Sequence, residues 1–459
     1  MVRDDPYNHG QIVGDVADRW QVNATGDEYT FFLRQDVKWS DGKQFTAADV
    51  TYNVQRYQGP TSTIRGRFTL LDKIVAVDDF TVKMTLKQPS AGFLTGMSDN
   101  SFRMYPAHVT FPDFNKNPLS TGAFKATKFE TAIGIETVRN PTYFRAGKNN
   151  LPYLDGVRFI FVGDPTLRAS VFRTGQVDAS GRAVGIQGSF KDAIQKDVPG
   201  VQIFTYTLAW NALYLNNAPP FNDPRVLEAI NLALDRQELG TIGSYASGFV
   251  GGVNVPASVG GKWAIPEAEI QAMPGYRQPK DQDLARARQL LAAVGASVIG
   301  QPLSLLASPT PPELAVVISS QLTKVGFNVN IERQEFNVLI PNLLKRNFQM
   351  AQFGFGAGVD DPTINLSAYT SPDPQNYGKW LIPDIDRLHS EQDKTFDSAQ
   401  RKRIAQDLER TILRSHGTVT TYWSLDYQYW RPEIRNLPQK GAPLGFSNVF
   451  DWSEVWIDK

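Results

Sequence analysis

Cysteine is absent from all 459 residues, which excludes disulfides, thiolate nucleophiles and cysteine-rich zinc sites together. Its absence leaves the compartment open, since exported and cytosolic proteins alike do without it. Histidine is scarce. The four, His9, His108, His389 and His416, never fall three or four positions apart, so no helical face offers paired imidazoles to a metal. A run of about 18 apolar residues, the length that spans a bilayer, is missing as well. So is an excess of one charge: Lys+Arg and Asp+Glu are 47 each, for a formal net charge of zero and a pI near 6.9. That balance argues against a nucleic-acid binder, which needs a basic footprint to neutralise phosphates. The patterns GxSxG and HExxH do not occur, which leaves a hydrolase without a recognisable nucleophile or metal site. GxxxxGK[ST] is missing too, so the chain carries no phosphate loop for ATP. The opening residues MVRDDPYNHG contain no apolar core of a secretion signal.

What is present is a well-punctuated alternation of strands and helices. Tyr29, Phe31 and Leu33 alternate with Thr30, Phe32 and Arg34, the period of a strand, and Asp41-Gly42 supplies a turn. Thr46 with Asp49 forms a capping box, Phe45 can staple onto Val50, and Val50, Val54 and Tyr57 follow at helical spacing. A second strand pair spans 73–87 with Asp78-Asp79 as its turn. Asp223 stands at an N-cap with Pro224 at N1, and Val226, Ile230 and Leu234 form the apolar stripe behind them. Farther on, the pattern predicts a helix over 281–294 closed by Gly295, a strand over 302–307, and a helix over 312–325 closed by Gly326. Strands over 327–331 and 349–355 follow, separated by a helix carrying Val338, Leu339, Leu343 and Leu344. Strands separated by helices imply βαβ crossovers and a largely parallel sheet. A chain of 459 residues exceeds one hydrophobic core, so two or three domains are expected.

Several of these stretches, in this order, resemble family 5 extracytoplasmic solute-binding proteins of ABC importers. The strand-turn-helix of 29–57 looks like the family's signature region. Ser120-Thr121-Gly122 with Phe124, RNPTYF (139–144), RASVFRTGQVD (168–178) and NAPPFNDPRVLEAINLALDRQEL (217–239) are similar to later segments. So are LAVVISSQLTKVGFNVNIERQEF (314–336), FQMAQFGF (348–355), WLIPDIDRL (380–388) and RKRIAQDLERTILRSHGTVTTYW (401–423). The resemblance implies an α/β, two-lobed periplasmic-binding-protein-like fold of type II, with an extra small α/β domain and a ligand cleft between the lobes. Residues 1–118 are expected to form the small domain, 119–242 with 432–459 lobe I, and 243–431 lobe II. Because IVGDVADRW (12–20) resembles a stretch well inside the family's mature proteins, lobe I is expected to lack its first segment here, as in a fragment, a start assigned downstream or a shortened relative.

The function implied is that of an importer's substrate-binding subunit, a monomer outside the cytoplasm without catalysis, cofactor or metal, that captures a small solute and delivers it to ABC permease and ATPase subunits. An oligopeptide or peptide-like solute is expected first, with an oligosaccharide, opine or metal chelate as alternatives; a hydrolytic enzyme is the alternative of another class. Closure over a ligand follows from differential affinity for the closed state. In peptide-binding members an Asp four residues before the Pro of D-x-x-(D/E)-P pairs with the peptide's α-ammonium. Here FGFGAGVDDP (353–362) puts Gly358 at that position, which weakens the peptide expectation, since a charge-assisted hydrogen bond is worth roughly 1.5–3 kcal/mol. Asp360 is a substitute candidate, while Asp361 is expected to cap the next helix. Phe336 and Phe355 stand where peptide binders commonly carry tryptophan. Trp210, Tyr422 and Trp423 are expected as aromatic cleft walls with Asn211 beside them, Trp380 being a weaker candidate. The loops 248–261 and 370–374 are expected at the surface or on the cleft rim.

Overall fold

The computed structural model describes the chain except residues 6–10, 61, 63, 100, 101, 148, 149, 182–184, 244–247, 296, 297, 309, 310, 357, 438–451 and 459. His9 lies outside the described residues. The small domain is an antiparallel four-stranded sheet, Ala17–Val22, Glu28–Leu33, Thr81–Leu86 and Leu71–Asp78 in spatial order. Helix Ala47–Gln58 lies on it. The alternation read at Tyr29, Phe31 and Leu33 is realised, all three being buried in one cluster with Phe45, Val50 and Val54. The cap at the helix start forms as the spacing predicts. Asp49 accepts from the Thr46 N–H at 2.9 Å, and its other carboxylate oxygen accepts from Ala107 N–H at 2.8 Å, so one acid caps the helix and ties down the chain beyond it.

The second sheet carries the site. Its five strands run in the order Asn328–Arg333, Pro302–Ala307, Met350–Phe355, Gln202–Leu215, Thr418–Trp430. The first three are mutually parallel, joined by helices Pro312–Thr323 and Phe336–Lys345 as crossovers. The last two pair antiparallel, so the sheet is mixed. Helix Asp281–Val294 ends on Gly295 at φ 85°, the left-handed turn predicted for it. A three-stranded antiparallel sheet, Phe124–Glu130, Gly134–Arg139 and Arg158–Ile160, stands apart.

The expected division at residue 242 does not follow the packing. Val226, Ile230 and Leu239 from helices Pro224–Ala233 and Arg236–Gly243 share one core with Leu290, Leu305 and Ile318. These helices therefore belong with lobe II. The boundary instead crosses the two long strands. Gln202–Leu215 pairs with Thr418–Trp430 from Gln202↔Trp430 to Tyr214↔Thr418. One end, at Ile203 and Tyr429, packs with Phe172 and Ile194 of the first lobe, and the other, at Leu213 and Val419, with the second. A register shift between Thr207 and Ala209 marks the middle of this two-stranded bridge, where extra twist and bending are easiest to accommodate.

Candidate functional site

Trp210 sits on the bridge just past that irregularity. It opposes Phe355 on one neighbouring strand and Trp423 on the other. The two indoles lie 5.9 Å apart at 39°. Trp210 donates from Nε1 to the Tyr369 hydroxyl at 3.2 Å, and Trp423 donates from Nε1 to the Gly252 carbonyl at 2.8 Å. Both rings are thus fixed before any solute arrives, so little rotamer entropy remains to be lost on stacking. Trp210 lines a narrow crevice of about 50 Å³. Ile64 and Gly66 of the small domain form one wall, and Gly356, Asn365 and Asp373 of the second lobe form another. The predicted rim at 370–374 is found here, through Asp373.

The other predicted wall residues divide. Side chains alternate across a strand, so Tyr422 and Trp423 cannot share a face. Tyr422 is 1% exposed and packs in the second lobe's core with Leu213, which removes it from the cleft wall. Trp423 is completely buried beneath Val255 and Phe249 and packs behind Trp210. The 248–261 loop runs behind this pair: Val253 and Asn254 donate backbone N–H groups to buried Glu409 at 2.9 and 3.0 Å. Residues 251–256 are a buried support, while Ala257, Ser258 and Gly260 reach the surface. Asn211 opposes Tyr422 and Gly354 on the face turned from Trp210. Phe336 opens helix Phe336–Lys345 at 45% exposure, with its ring 6.3 Å from Phe353, outside the crevice. Phe355 is placed by its backbone opposite Trp210; its side chain lies outside the described residues. Trp380 donates to the Leu215 carbonyl at 2.9 Å and serves as a brace.

The two acids before Pro362 have distinct tasks. Asp361 caps helix Pro362–Asn365, accepting from Thr363 N–H at 2.9 Å, as its position predicts. It also meets Arg401 in a two-pronged pair at 2.7 and 3.0 Å, with side-chain exposures of 3% and 7%. Asp360 turns away from the crevice: its Oδ2 accepts from Lys262 N–H at 2.9 Å, and its carbonyl accepts from Trp263 Nε1 at 2.9 Å. Burial pushes the Asp360 carboxyl up to about 7, with the Lys262 N–H bond opposing the shift. A proton is therefore held more tightly in the folded chain than in the unfolded one. The associated stability is complete below the ordinary value near 3.8 and is lost as pH rises through about 7. Relative to Asp360→Asn, the parent should lose roughly 2–4 kcal/mol between pH 4 and 8. Denaturant titrations of both across that range check this; parallel curves would refute it.

The space beside Gly358 is filled from outside its own lobe. A Cβ at this position would lie 1.9 Å from Asp99 Oδ2 and 2.9 Å from its Cγ. The space of the missing side chain is filled by a carboxylate from the small domain, and Asp99 is 2% exposed. The family's acid is absent from position 358, but a carboxyl group from the small domain occupies the place. Two residues 259 positions apart meet there, and nothing in the local sequence of either signals it. Asp373 was likewise missed: its Oδ2 lies 2.8 Å from where a Cβ on Gly66 would stand, across the crevice mouth.

The described histidines are engaged singly. His108 Nε2 lies 2.8 Å from Asp41, His389 Nε2 lies 3.0 Å from the Thr363 carbonyl, and burial pushes His416 down to about 4. Among the described residues no group of three His, Asp or Glu is arranged to hold a metal, and no helix is long and apolar enough to cross a membrane.

The family model for bacterial extracellular solute-binding proteins, family 5 middle region, matches residues 11–377. The periplasmic oligopeptide-binding protein OppA of Escherichia coli K12 is 25% identical over 462 residues, covering 93% of this chain and 81% of its own. Among solved structures, AgaA of A. tumefaciens R10 in complex with agropinic acid superposes with a TM-score of 0.82 at 23% identity, covering 100% of this chain and 92% of that one. The murein tripeptide binding protein MppA of E. coli, 19% identical, superposes at 0.83 over 100% of this chain and 92% of that one. Its unliganded open form superposes at only 0.69, over 100% and 90%. With two lobes bridged by paired strands, a crevice between the small domain and the second lobe and a matching family model over most of its length, this chain belongs to family 5 of the bacterial extracellular solute-binding proteins.

Proposed function

We propose that the protein is the solute receptor of an ABC importer, acting as a monomer outside the cytoplasm, and that its solute is a short peptide with a free α-ammonium. The observation that carries this reading is a carboxyl group on the crevice wall, Asp373, with a second, that of Asp99, in the side-chain space of Gly358, two residues along the chain from the wall residue Gly356. A carboxylate buried at such a site favours a cationic group over a neutral sugar or an anionic opine. Trp210 supplies a flat apolar wall for side chains of varied shape. The peptide's ends and backbone would be held between the small domain and the second lobe, and the filled receptor would present both to a membrane permease served by separate ATPase subunits. The solute leaves unchanged.

Isothermal calorimetry with tri-L-alanine and N-acetyl-tri-L-alanine tests this. Acetylation removes one charge-assisted hydrogen bond, worth roughly 1.5–3 kcal/mol, so the free peptide should bind about 10- to 100-fold more tightly. Asp373→Asn and Asp99→Asn should each narrow that ratio. Equal affinity for both peptides, or a ratio untouched by both substitutions, would overturn the reading.

A further inference from the structure

The small domain and the second lobe meet at a joint that involves neither Trp210 nor Asp373. The chain leaving strand Thr81–Leu86 reaches Ser90, Ala91 and Gly92, then the short helix Phe93–Met97. Asp393, at the end of helix Pro383–Asp393 in the second lobe, receives all three residues. Its Oδ1 accepts from Ser90 Oγ at 2.8 Å and from Gly92 N–H at 3.1 Å, and its carbonyl accepts from Ala91 N–H at 2.6 Å. Thr363 Oγ1 donates to the same Oδ1 at 2.7 Å, which links the joint to the buried Asp361–Arg401 pair, since Arg401 also donates to Thr363 Oγ1 at 2.9 Å.

The backbone approach is as close as the hydrogen bonding. A Cβ on Gly92 would lie 2.5 Å from Thr363 Cβ and 2.8 Å from Asp361 Oδ1. One on Gly96 would lie 2.8 Å from Ile364 Cδ1. Neither glycine has a positive φ, so backbone conformation does not require glycine at either position. At Gly92 what requires it is the opposing lobe, which leaves no room for a methyl group, whereas at Gly96 the end of the Ile364 side chain can give way.

We propose that this joint is a closure latch: a set of contacts between the small domain and the second lobe that forms only when the cleft shuts, and that contributes to solute retention without touching the solute. Its chemistry suits a switch. Asp393 is 1% exposed, and its Oδ2 accepts no hydrogen bond. Shutting the joint therefore dehydrates a half-satisfied carboxylate while forming charge-assisted bonds at the other oxygen, two opposing effects of similar size. Such a latch stabilises closure only slightly, and a solute's differential affinity decides the balance.

The absence of cysteine permits clean double labelling. Lys43 of the small domain and Lys324 of the second lobe are exposed, and spin labels on cysteines placed at both would report the inter-domain distance by pulsed electron resonance, with and without 1 mM tri-L-alanine. The otherwise unsubstituted protein should show a closed, short-distance population in at least one condition. Gly92→Ala, a wedge whose nearest neighbours all belong to the opposing lobe, should reduce the closed-to-open ratio at least tenfold. Asp393→Ala should act in the same direction, with Ser90→Ala as the milder variant should either fold poorly. A closed population equal in all variants, or none in the unsubstituted protein under either condition, would overturn the latch. A closed population that Gly92→Ala removes but tri-L-alanine leaves unchanged would retain the latch and count against the peptide reading alone.

Discussion

Replacing Arg401 with leucine is expected to destabilise the second lobe by about 3–5 kcal/mol, because it strands Asp361 as a buried charge. Both oxygens of Asp361 face the guanidinium, at 2.7 and 3.0 Å. Arg401 also holds Gln392 Oε1 at 3.1 Å and Thr363 Oγ1 at 2.9 Å, so three residues lose partners together. The remaining Thr363 N–H bond to Asp361 offsets only part of the dehydration. Thermal unfolding followed by circular dichroism should show a fall in Tm of roughly 6–20 °C, at about 2–4 °C per kcal/mol for a body of this size. The double variant Arg401→Leu with Asp361→Leu should recover much of the loss, since an apolar pair requires no compensation for buried charge. A single variant as stable as the parent would mean the pair is hydrated in solution.

The second large effect is on binding. Trp210→Ala should weaken tri-L-alanine binding by roughly 30- to 1000-fold, the 2–4 kcal/mol typical of a central aromatic contact. The indole is 4% exposed and fixed by Tyr369 and Trp423, so its removal takes away a preorganised wall as well as contact area. Phe336→Ala, on a ring that is 45% exposed and does not line the crevice, should leave affinity within about twofold. Calorimetry on the two variants side by side distinguishes them. Comparable losses would place the solute elsewhere than against Trp210.

Local rules made much of this legible before the structure. The Thr46–Asp49 cap, the Asp223–Pro224 helix start and the Gly295 stop all depend on residues within a few positions of one another, and each formed where the spacing put it. Asp361 was recognisable as a cap for the same reason. Periodicity was sufficient for the three parallel strands, because their crossover helices carry their own stops. What failed was non-local. The placement of Tyr422 and Trp423 on one wall ignored the alternation that sends neighbours to opposite faces. The boundary at 242 missed that the long strands belong to both lobes, so helices 224–243 pack backward onto lobe II. Asp99 and Gly358 are complementary only in the folded chain: a small residue on one lobe makes room for a charged one from the other domain. The Asp393 joint is of the same kind, pairing positions about 300 apart through contacts that no single-sequence pattern encodes.

Native mass spectrometry of the intact chain, incubated with an equimolar mixture of tripeptides, their N-acetylated forms, a neutral trisaccharide and an opine, tests the central claim most directly. A solute receptor with an acidic crevice should retain one free-amine peptide per chain, released intact and unmodified on denaturation. Retention of the trisaccharide or the opine in its place, equal retention of acetylated peptides, or the appearance of cleaved products would contradict it.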